Sequence, residues 1–319
     1  MKILVSGGLG FIGHEVVRCF QGHDVMAVDS MTNYDFIPLD QMMKLFQLRA
    51  GDLRNQVPTK HIDIRDREQV VQVLYDFQPD VVIHLASFPR QKVVLQNPSV
   101  ASEVMSTGLI NLLEASKGII DKFVYVSSSM VYGDFEDRVH ETQECHPRGQ
   151  YAIMKYMGEK LVADYKKYFD YVIVRPSAVY GPRDVEDRVL SKFVLNAIRN
   201  KKLAVRGADE VLDFTYVTDT AKGIALVAER DCKHDIYNIT RCQSKPVTLQ
   251  MAANRVVELV GRGEVELVDR DLNFPSRGRL DITRAQKDLG YDPTIDFDQG
   301  CKMYVDWMRE HYDTIYKSQ

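Results

Sequence analysis

The sequence Lys2-Ile3-Leu4-Val5-Ser6-Gly7-Gly8-Leu9-Gly10-Phe11-Ile12-Gly13 decides the fold. Its apolar first half predicts a buried strand, and its spaced glycines predict a tight turn into a helix that runs to Phe20. Residues 24–28 predict a second buried strand, which is followed by Asp29. A strand, a glycine turn, a helix, a second strand and a terminal acid form half of a dinucleotide-binding unit.

Each glycine of this turn has its own physical role. Gly7 permits the tight turn, Gly10 lets the backbone approach a pyrophosphate, and Gly13 lets the helix pack close to the strand. The first N–H groups of the helix then face the phosphates. Asp29 is suited to accept hydrogen bonds from the ribose hydroxyls of an adenosine. Its charge favours NAD over NADP, because a carboxylate repels a 2′-phosphate.

The composition of the 319 residues, 45% apolar and 27% charged, is that of an ordinary globular protein with one large or two joined domains. A net charge of −4 argues against a nucleic-acid partner. The five scattered cysteines form no Cys-x-x-Cys pair, so we expect reduced thiols and no metal site. The N-terminus is predicted to be a core strand, and apolar runs are far shorter than about 18 residues. We therefore expect no signal peptide, no membrane span and a cytoplasmic protein.

Strand-like and helix-like segments alternate through the first half of the chain. After the second strand, residues 30–60 predict a loop and a short helix. Further strands are predicted at 61–63, 81–86, 123–127 and 171–174, and helices at 67–77, 98–116 and 151–168. This alternation predicts an α/β fold with a Rossmann-type, doubly wound parallel sheet.

The alternation weakens in the second half, which predicts a smaller mixed α/β substrate-binding lobe at the C-terminal end. Helices are predicted at 188–200 and 218–229, and strands at 203–206, 214–217 and 236–239. Segments 248–260, 265–268, 281–289 and 298–316 complete the mixed region. The strand at 236–239 is expected to return to the main sheet. We assign residues 1–175 to a nucleotide-binding domain that also takes back about 212–240. Residues 176–319 form the interleaved substrate lobe.

Polar residues at two predicted strand and helix ends indicate redox chemistry. Ser127, Ser128 and Ser129 follow a buried strand, while Tyr151 and Lys155 lie one turn apart on a helix. A neighbouring ammonium favours the phenolate, so Tyr151 is suited to take a proton from a substrate hydroxyl while a nicotinamide takes a hydride. A serine at the strand tip would share that hydrogen bond.

With these residues in order on a parallel sheet, the chain resembles the extended short-chain dehydrogenase/reductase family, specifically its nucleotide-sugar epimerases and dehydratases. The resemblance covers almost the whole chain. Its motifs are the Gly-x-x-Gly-x-x-Gly spacing, Asp63-Ile64, His84-Leu85-Ala86-Ser87, the Tyr151/Lys155 pair, Arg175-Pro176, Tyr180-Gly181-Pro182-Arg183 and residues 213–219.

The resemblance implies NAD as cofactor, a nucleotide sugar as substrate and a set of functional residues. The implied catalytic residues are Ser128, Tyr151 and Lys155, with Ser127 and Ser129 as near alternatives to Ser128. The implied cofactor contacts are Gly7, Gly10, Phe11, Ile12, Gly13, Asp29, Asp63, Ile64, Leu85, Ala86, Ser87, Ser127, Tyr151, Lys155 and Pro176. The candidate substrate contacts are Arg90, Ser128, Ser129, Ala178, Arg183, Arg206 and Arg277.

The two residues after Ser128 narrow the reaction. In the family, 4,6-dehydratases carry an Asp-Glu pair there, whereas this chain has Ser129 and Met130. UDP-glucuronate decarboxylases have a Glu, and GDP-mannose 3,5-epimerases a Cys, at the position of Met130. Oxidation at C4, rotation of the ketone and reduction on its other face need no further group, so we expect a C4 epimerase. The alternatives are a nucleotide-sugar 4-dehydrogenase or reductase, a dehydratase or decarboxylase, and a non-catalytic NAD(H)-binding regulator.

Two departures from the family leave the substrate open. UDP-galactose 4-epimerase-like chains usually have a diphosphate-clamping Arg where this chain has Leu212, and they tend to have Asn at Ala178. Either Arg183, Arg206 or Arg277 supplies the missing phosphate contact, or each is a solvated surface residue.

Three further expectations concern the surroundings of the site. Arg90 and Lys92 are expected near the sugar, where a carboxylated or otherwise unusual sugar would suit them. His84, at a strand end, is predicted to be a packed structural residue and not a ligand. The resemblance also implies a homodimer, in which the helices near 98–116 and 151–168 pair as a four-helix bundle.

Overall fold

A parallel sheet forms the centre of the computed structural model, which describes residues 1–33, 37–53, 57–184 and 187–317. The strands are β1 Lys2–Ser6, β2 Asp24–Asp29, β3 Thr59–His61, β4 Val81–His84, β5 Lys122–Val126, β6 Asp170–Pro176, β7 Val179–Tyr180, β8 Lys202–Arg206, β9 Thr215–Tyr216, β10 Ile236–Ile239 and β11 Glu264–Val268. Within the described residues, seven of them pair in the order β10-β6-β5-β4-β1-β2-β3, every pair parallel. The predicted doubly wound sheet is confirmed.

The strand order places the site. β1 pairs with β2 on one side and with β4 on the other, so the order reverses at β1. In a parallel sheet the carboxyl ends of the strands share one edge, and a crevice opens where the order reverses. The glycine turn that follows β1 and the segment that follows β4 form the two walls of this crevice.

Helices cover both faces of the sheet. They are α1 Gly13–Cys19, α2 Leu39–Leu53, α3 Arg67–Phe77, α4 Gln91–Gln96, α5 Pro98–Ser102, α6 Gly108–Ser116, α7 Gln150–Asp164, α8 Val189–Ile198, α9 Val217–Glu229, α10 Leu249–Val260, α11 Thr283–Leu289 and α12 Phe297–Tyr316. Along β1, Ile3 and Val5 belong to one apolar core with α1, α2 and α9, whereas Leu4 belongs to a second core with α3 and α6. This alternation follows from the two-residue period of a strand, and it explains why these strands are apolar throughout.

A third apolar core holds the C-terminal lobe together. It contains side chains of α8, α10 and α12 packed with β8, which pairs in parallel with β11. β7 and β9 form a second short parallel pair. β10 joins the main sheet beside β6, as the sequence predicts for residues 236–239. We propose that the first domain ends near residue 175 and also includes about 212–240.

Residues 30–60 contain more helix than the sequence predicts. α2 has 15 residues, and residues 34–36 and 54–56 of this stretch lie outside the described ranges. The buried positions of α2 follow a helical period: Met42, Leu45, Phe46, Arg49 and Leu53. The apolar residues of α2 do not show the complete period, because Arg49 occupies one of its positions.

The helix predicted at 98–116 is interrupted. α5 and α6 are joined by a π-helical turn over Glu103–Thr107. A π-helical turn contains one more residue than an α-helical turn, and the spacing of apolar residues in the sequence does not reveal it. The sequence does not predict α4, which precedes this segment. The strand predicted at 61–63 begins two residues earlier, so Ile62 and Asp63 follow β3 instead of ending it.

Within the described ranges, no helix combines the length and the apolar character that crossing a bilayer requires. The same ranges contain no group of three His, Cys, Asp or Glu side chains arranged to hold a metal ion.

The approach of Gly13 to Gly7 predicts a cost for one added methyl group. A Cβ on Gly13 would lie 1.9 Å from the carbonyl oxygen of Gly7, whose own φ is +75°. We expect Gly13→Ala to lower the free energy of unfolding by about 3 kcal/mol or more, since backbone must move to admit it. Gly51 in α2 is the matched control, because a Cβ there meets nothing within 4 Å. Gly51→Ala should leave stability unchanged or raise it by up to about 1 kcal/mol. Urea unfolding measures both, and equal stabilities for the two variants would contradict the close packing.

Candidate active site

A cavity of about 970 Å³ opens at the carboxyl ends of the strands. Of the residues that the sequence predicts for the site, all except Arg183 line this cavity. Those that line it are Gly7, Gly10, Phe11, Ile12, Gly13, Asp29, Asp63, Ile64, Leu85, Ala86, Ser87, Arg90, Ser127, Ser128, Ser129, Tyr151, Lys155, Pro176, Ala178, Arg206 and Arg277. Predicted residues that are far apart in the chain therefore lie along one continuous cavity surface.

One end of the cavity is a cradle of bare backbone. A Cβ on Gly10 would lie 2.9 Å from the carbonyl oxygen of Gly7, and one on Gly7 would lie 2.6 Å from the amide nitrogen of Ala86. Asp29 accepts hydrogen bonds from the backbone N–H of Leu9 at 3.0 Å and of Met31 at 2.8 Å. A carboxylate has about four acceptor positions, so capacity remains for ribose hydroxyls. This end fits a dinucleotide, with the phosphates against the turn.

Asp63, at the same end, is bound by a residue that the sequence reasoning missed. Arg65 Nη2 donates to Asp63 Oδ2 at 2.6 Å, and Arg65 Nε donates to Oδ1 at 3.1 Å. This fork holds the pKa of the Asp63 carboxyl below its usual range. Arg65 also lines the cavity, so a ligand there meets the ion pair and not a single carboxylate.

The three candidate catalytic side chains line the same part of the cavity. Ser128 follows β5, and its Oγ accepts a hydrogen bond from Met130 N at 3.2 Å. An interaction with the Ser128 hydroxyl lowers the pKa of the Tyr151 phenol. Lys155, one turn after Tyr151 in α7, is buried, and its Nζ donates to the carbonyl oxygen of Val126 at 2.8 Å. Strand β5 therefore positions both Ser128 and Lys155.

Burial opposes ionisation at both members of the Tyr151/Lys155 pair. It lowers the pKa of Lys155 to about 7 and raises the pKa of Tyr151 above its usual value. The charge of Arg188, the Ser128 hydroxyl and the charge of Arg90 counteract the rise in the pKa of Tyr151. The sequence assigned the lowering of this pKa to Lys155; it named Arg90 only as a substrate contact, and it did not name Arg188.

A buried ion pair anchors the catalytic helix. Arg175 in β6 donates to Glu159 in α7 from Nε to Oε1 at 2.9 Å and from Nη2 to Oε2 at 2.6 Å. Ser127 Oγ donates to the same Oε1 at 2.6 Å. The side chains of Glu159 and Arg175 are only 3% and 2% exposed. Glu159 follows Lys155 by four residues and lies on the same face of α7. This spacing is visible in the sequence, and it could have indicated Glu159 as a residue close to the site.

The positions after Ser128 carry no carboxylate. Ser129 Oγ donates to Ser177 Oγ at 3.0 Å, and Met130 is buried with its side chain at the cavity. Neither residue is able to act as an acid or base at a bound sugar.

Arginines line the far end of the cavity, in the C-terminal lobe. Arg206 and Arg277 both line it, beside Leu212. Burial lowers the pKa of Arg277 to about 10, and its Nε has no hydrogen-bond partner among the described residues. A buried guanidinium whose Nε has no hydrogen-bond partner among the described residues is suited to bind an anionic ligand.

Arg183, by contrast, faces away from the cavity. Its Nε lies 2.7 Å from Asp52 Oδ2, and its Cζ lies 5.9 Å from the centre of the Trp307 ring. These contacts make it a packing residue that joins α2 to α12, so we remove it from the proposed substrate contacts. The sequence reasoning had no means of seeing this partner, because Asp52 and Trp307 are remote in the chain.

Two further polar residues of the cavity wall were missed. Buried Arg49 donates to the carbonyl oxygen of Leu9 at 3.2 Å and to that of Arg183 at 2.7 Å. Buried Gln91 accepts a hydrogen bond from the backbone N–H of Tyr151 at 3.0 Å. Both contacts join residues that are distant in the chain, so the sequence does not reveal them.

A sequence profile of the NAD dependent epimerase/dehydratase family matches residues 3–240. The chain belongs to this family. The predicted membership of the extended short-chain dehydrogenases/reductases is confirmed, and the cofactor is NAD. The glycine cradle and Asp29 fit its pyrophosphate and adenosine ribose.

Three relatives span nearly the whole chain. The UDP-glucose 4-epimerase of Thermus thermophilus, solved in complex with NAD, is 27% identical with a TM-score of 0.85, covering 97% of this chain and 99% of that one. The UDP-glucuronate 4-epimerase of Thermodesulfobacterium geofontis is 28% identical over 98% of this chain and 97% of its own length. The dTDP-glucose 4,6-dehydratase of Salmonella typhimurium is 26% identical over 96% of this chain and 92% of its own. The family thus includes both reactions, and the choice between them rests on the residues beside Ser128.

His84 lies at the end of β4, and its predicted structural role is confirmed. It is buried, its Nδ1 lies 2.7 Å from Ser6 Oγ, and its ring stacks on Tyr125 with centroids 5.9 Å apart. Burial lowers the pKa of His84 from 6.5 to about 3.

This lowered pKa predicts how stability depends on pH. The unfolded chain protonates His84 below about pH 6.5 while the folded chain keeps it neutral, so stability falls with pH and about 2 kcal/mol is lost near pH 5. His84→Asn should be less stable than the wild type near pH 7, and that gap should narrow by about 2 kcal/mol near pH 5. Urea unfolding at both pH values measures the gap. A constant gap for His84→Asn would contradict a neutral buried ring.

Proposed function

We propose that the protein is a nucleotide-sugar epimerase that inverts C4 through a transient 4-keto sugar and retains its NAD between turnovers. One observation carries the proposal. Ser128, Tyr151 and Lys155 line one part of the cavity, whereas the two positions after Ser128 hold Ser129 and Met130. The site has the groups for proton and hydride transfer at one carbon and lacks those for eliminating water beside Ser128.

Tyr151 is the proposed base. Its phenol oxygen takes the proton of the C4 hydroxyl, and the Ser128 hydroxyl hydrogen-bonds the same sugar oxygen as it becomes a ketone. The NAD held by the glycine turn and Asp29 would supply the acceptor for the C4 hydride and the donor that returns it. The charges of Arg90 and Arg188 favour the phenolate form of Tyr151, which is the form that takes the proton from the sugar.

Inversion requires the keto sugar to present its other face. The diphosphate stays bound to Arg206 and Arg277, and the sugar turns about that fixed end. Tyr151 then returns its proton to the ketone oxygen. A 4-dehydrogenase or reductase would release its product at the keto stage or start from it, and this is the second candidate among enzymes.

We further infer that two copies pair through α6 and α7. These helices contact each other, and apolar Ile110, Ile153 and Met157 are exposed on them. Ile153 and Met157 lie one turn apart on the same face of α7. An exposed apolar face on two adjacent helices is suited to a four-helix bundle with a second copy, in which each chain buries the face of the other.

Tyr151→Phe should lower the rate of C4 epimerisation by about 10²–10⁴-fold, because the base is removed while the ring remains. NMR detection of epimers from UDP-, GDP-, CDP- and dTDP-sugars measures the rate with NAD-bound protein. Tyr156→Phe, on the same helix but outside the cavity lining, should retain the wild-type rate. Steady accumulation of NADH absorbance with a sugar nucleotide would favour the dehydrogenase. Turnover unchanged in Tyr151→Phe would remove Tyr151 from the mechanism, and no turnover of any sugar would favour an NAD(H)-binding regulator.

Ile153→Glu should convert a dimer into a monomer, because a carboxylate at the centre of an apolar interface is left unpaired. Light scattering after size exclusion distinguishes a mass of 36.6 kDa from twice that value. Met251→Glu on α10 is the control, since Met251 is 52% exposed, as is Ile153. A wild-type monomer, or a dimer that survives Ile153→Glu, would contradict the α6/α7 interface.

A further inference from the structure

The segment that carries Arg277 runs beside the segment that follows Ser128. A 3₁₀ turn over Ser129–Tyr132 begins directly after Ser128, and the chain continues into residues 134–139. Residues 276–281 lie alongside these, and we call the two paired segments the Arg277 ladder. Its backbone hydrogen bonds run from Phe135 N to Ser276 O at 3.0 Å, from Val139 N to Arg279 O at 3.1 Å and from Asp281 N to Val139 O at 2.9 Å. The ladder therefore links the cavity wall near Ser128 to the wall that carries Arg277.

The side chain of Arg279 fastens this ladder. Arg279 is 7% exposed, its Nε donates to Asp137 Oδ1 at 2.8 Å, and its Nη2 donates to Asp137 Oδ2. Its Nη1 donates to the carbonyl oxygen of Gln243 at 2.5 Å and to that of Ser244 at 2.9 Å. A guanidinium that binds both oxygens of one carboxylate and two carbonyl groups is held in one geometry. The ladder is thus anchored to the segment after β10.

Two further contacts fix the backbone that follows Arg277. Leu280 N donates to Asp213 Oδ2 at 3.0 Å, and Asp213 is fully buried. A Cβ on Gly278 would lie 2.7 Å from Asp137 Cα, so the backbone passes Asp137 with no space for a side chain. The residue directly after Arg277 is therefore closely packed, and the one after that is Arg279 itself.

Arg279 does not line the cavity, whereas Arg277, two residues earlier, lines it beside Arg206. The Nε of Arg277 has no hydrogen-bond partner among the described residues, so this nitrogen does not orient the side chain. A fixed backbone confines the Arg277 guanidinium to one region before a ligand binds, which lowers the ordering cost of binding. Arg279 therefore acts on the site through Arg277.

We propose that Arg279 is a positioning residue for the diphosphate of the substrate. Through its ion pair with Asp137 it holds Arg277 at the separation from the Ser128 segment that a nucleoside diphosphate sugar requires. The proposal rests on the proposed function, in which Arg277 binds the diphosphate. It adds the residue that sets the place of that contact.

The test compares nucleotides that differ by one phosphate. UDP and UMP, and likewise the dTDP, GDP and CDP pairs, are titrated calorimetrically into the NAD-bound protein. We expect the diphosphate of at least one pair to bind about 10-fold or more tightly than its monophosphate. Arg277→Met should lower this ratio most, and Arg279→Gln should lower it at least about 3-fold, because Arg277 is no longer held in place. Arg279→Lys should retain part of the ratio, since an ammonium keeps the charge without the fork.

A double variant separates positioning from a loss of stability. In the Arg277→Met background, Arg279→Gln should lower the ratio no further. Arg284→Gln is the matched control. Arg284 is 14% exposed, donates to the carbonyl oxygen of Ile236 at 2.9 Å and lies outside the cavity lining, so its loss should leave the ratio unchanged. Asp137→Asn, at a side chain that is 44% exposed, should lower the ratio in the same direction and carries the test if Arg279→Gln does not fold.

Three results would overturn the proposal: a ratio unchanged in Arg279→Gln and Asp137→Asn, an undiminished effect of Arg279→Gln in the Arg277→Met background, or equal affinity within every nucleotide pair. These nucleotides undergo no turnover, so the binding ratios do not depend on the reaction. The expected ratios in a protein that forms no epimer would overturn the epimerase and leave the role of Arg279 standing. Epimer formation with ratios that ignore Arg279 would do the reverse.

Discussion

The ion pair between Glu159 and Arg175 is the contact on which the rest of the site depends. It joins α7, which carries the proposed base, to β6, which lies between β5 and β10 in the sheet, and it also holds the Ser127 hydroxyl. Removing one partner of such a buried pair leaves an uncompensated charge and typically costs about 3–5 kcal/mol. The position of Tyr151 and Lys155 relative to Ser128 is therefore fixed by a charge pair that does not itself reach the substrate.

The fold and the dinucleotide end were predictable because their determinants are local. The glycine spacing, the apolar strands and Asp29 lie within the first 29 residues, and each follows from what one short segment requires. Ser128, Tyr151 and Lys155 were named as catalytic candidates because strand ends and a one-turn spacing are visible in the sequence. Their meeting in one cavity follows from parallel pairing, which places all carboxyl ends at one edge.

The remaining features depend on pairs of residues that are distant in the chain. Nothing in the sequence distinguishes Arg183, which turns to Asp52, from Arg277, which lines the cavity. Arg188 and Arg90 come together only because α8 and the segment after β4 face each other. The length of α2 was underestimated for a related reason. Arg49 lies in the buried face of this helix, and it donates hydrogen bonds to carbonyl groups that are distant in the chain.

That arginine has a mechanical consequence. Arg49 donates to the carbonyl oxygen of Leu9 in the nucleotide turn and to that of Arg183 in the C-terminal half, so one buried side chain ties the nucleotide turn to the segment that follows β7. This contact restrains the two segments relative to each other. In the proposed epimerisation, the keto sugar would turn inside a cavity whose nucleotide end is held by this contact, and the dimensions of that cavity would then limit which sugars are able to turn.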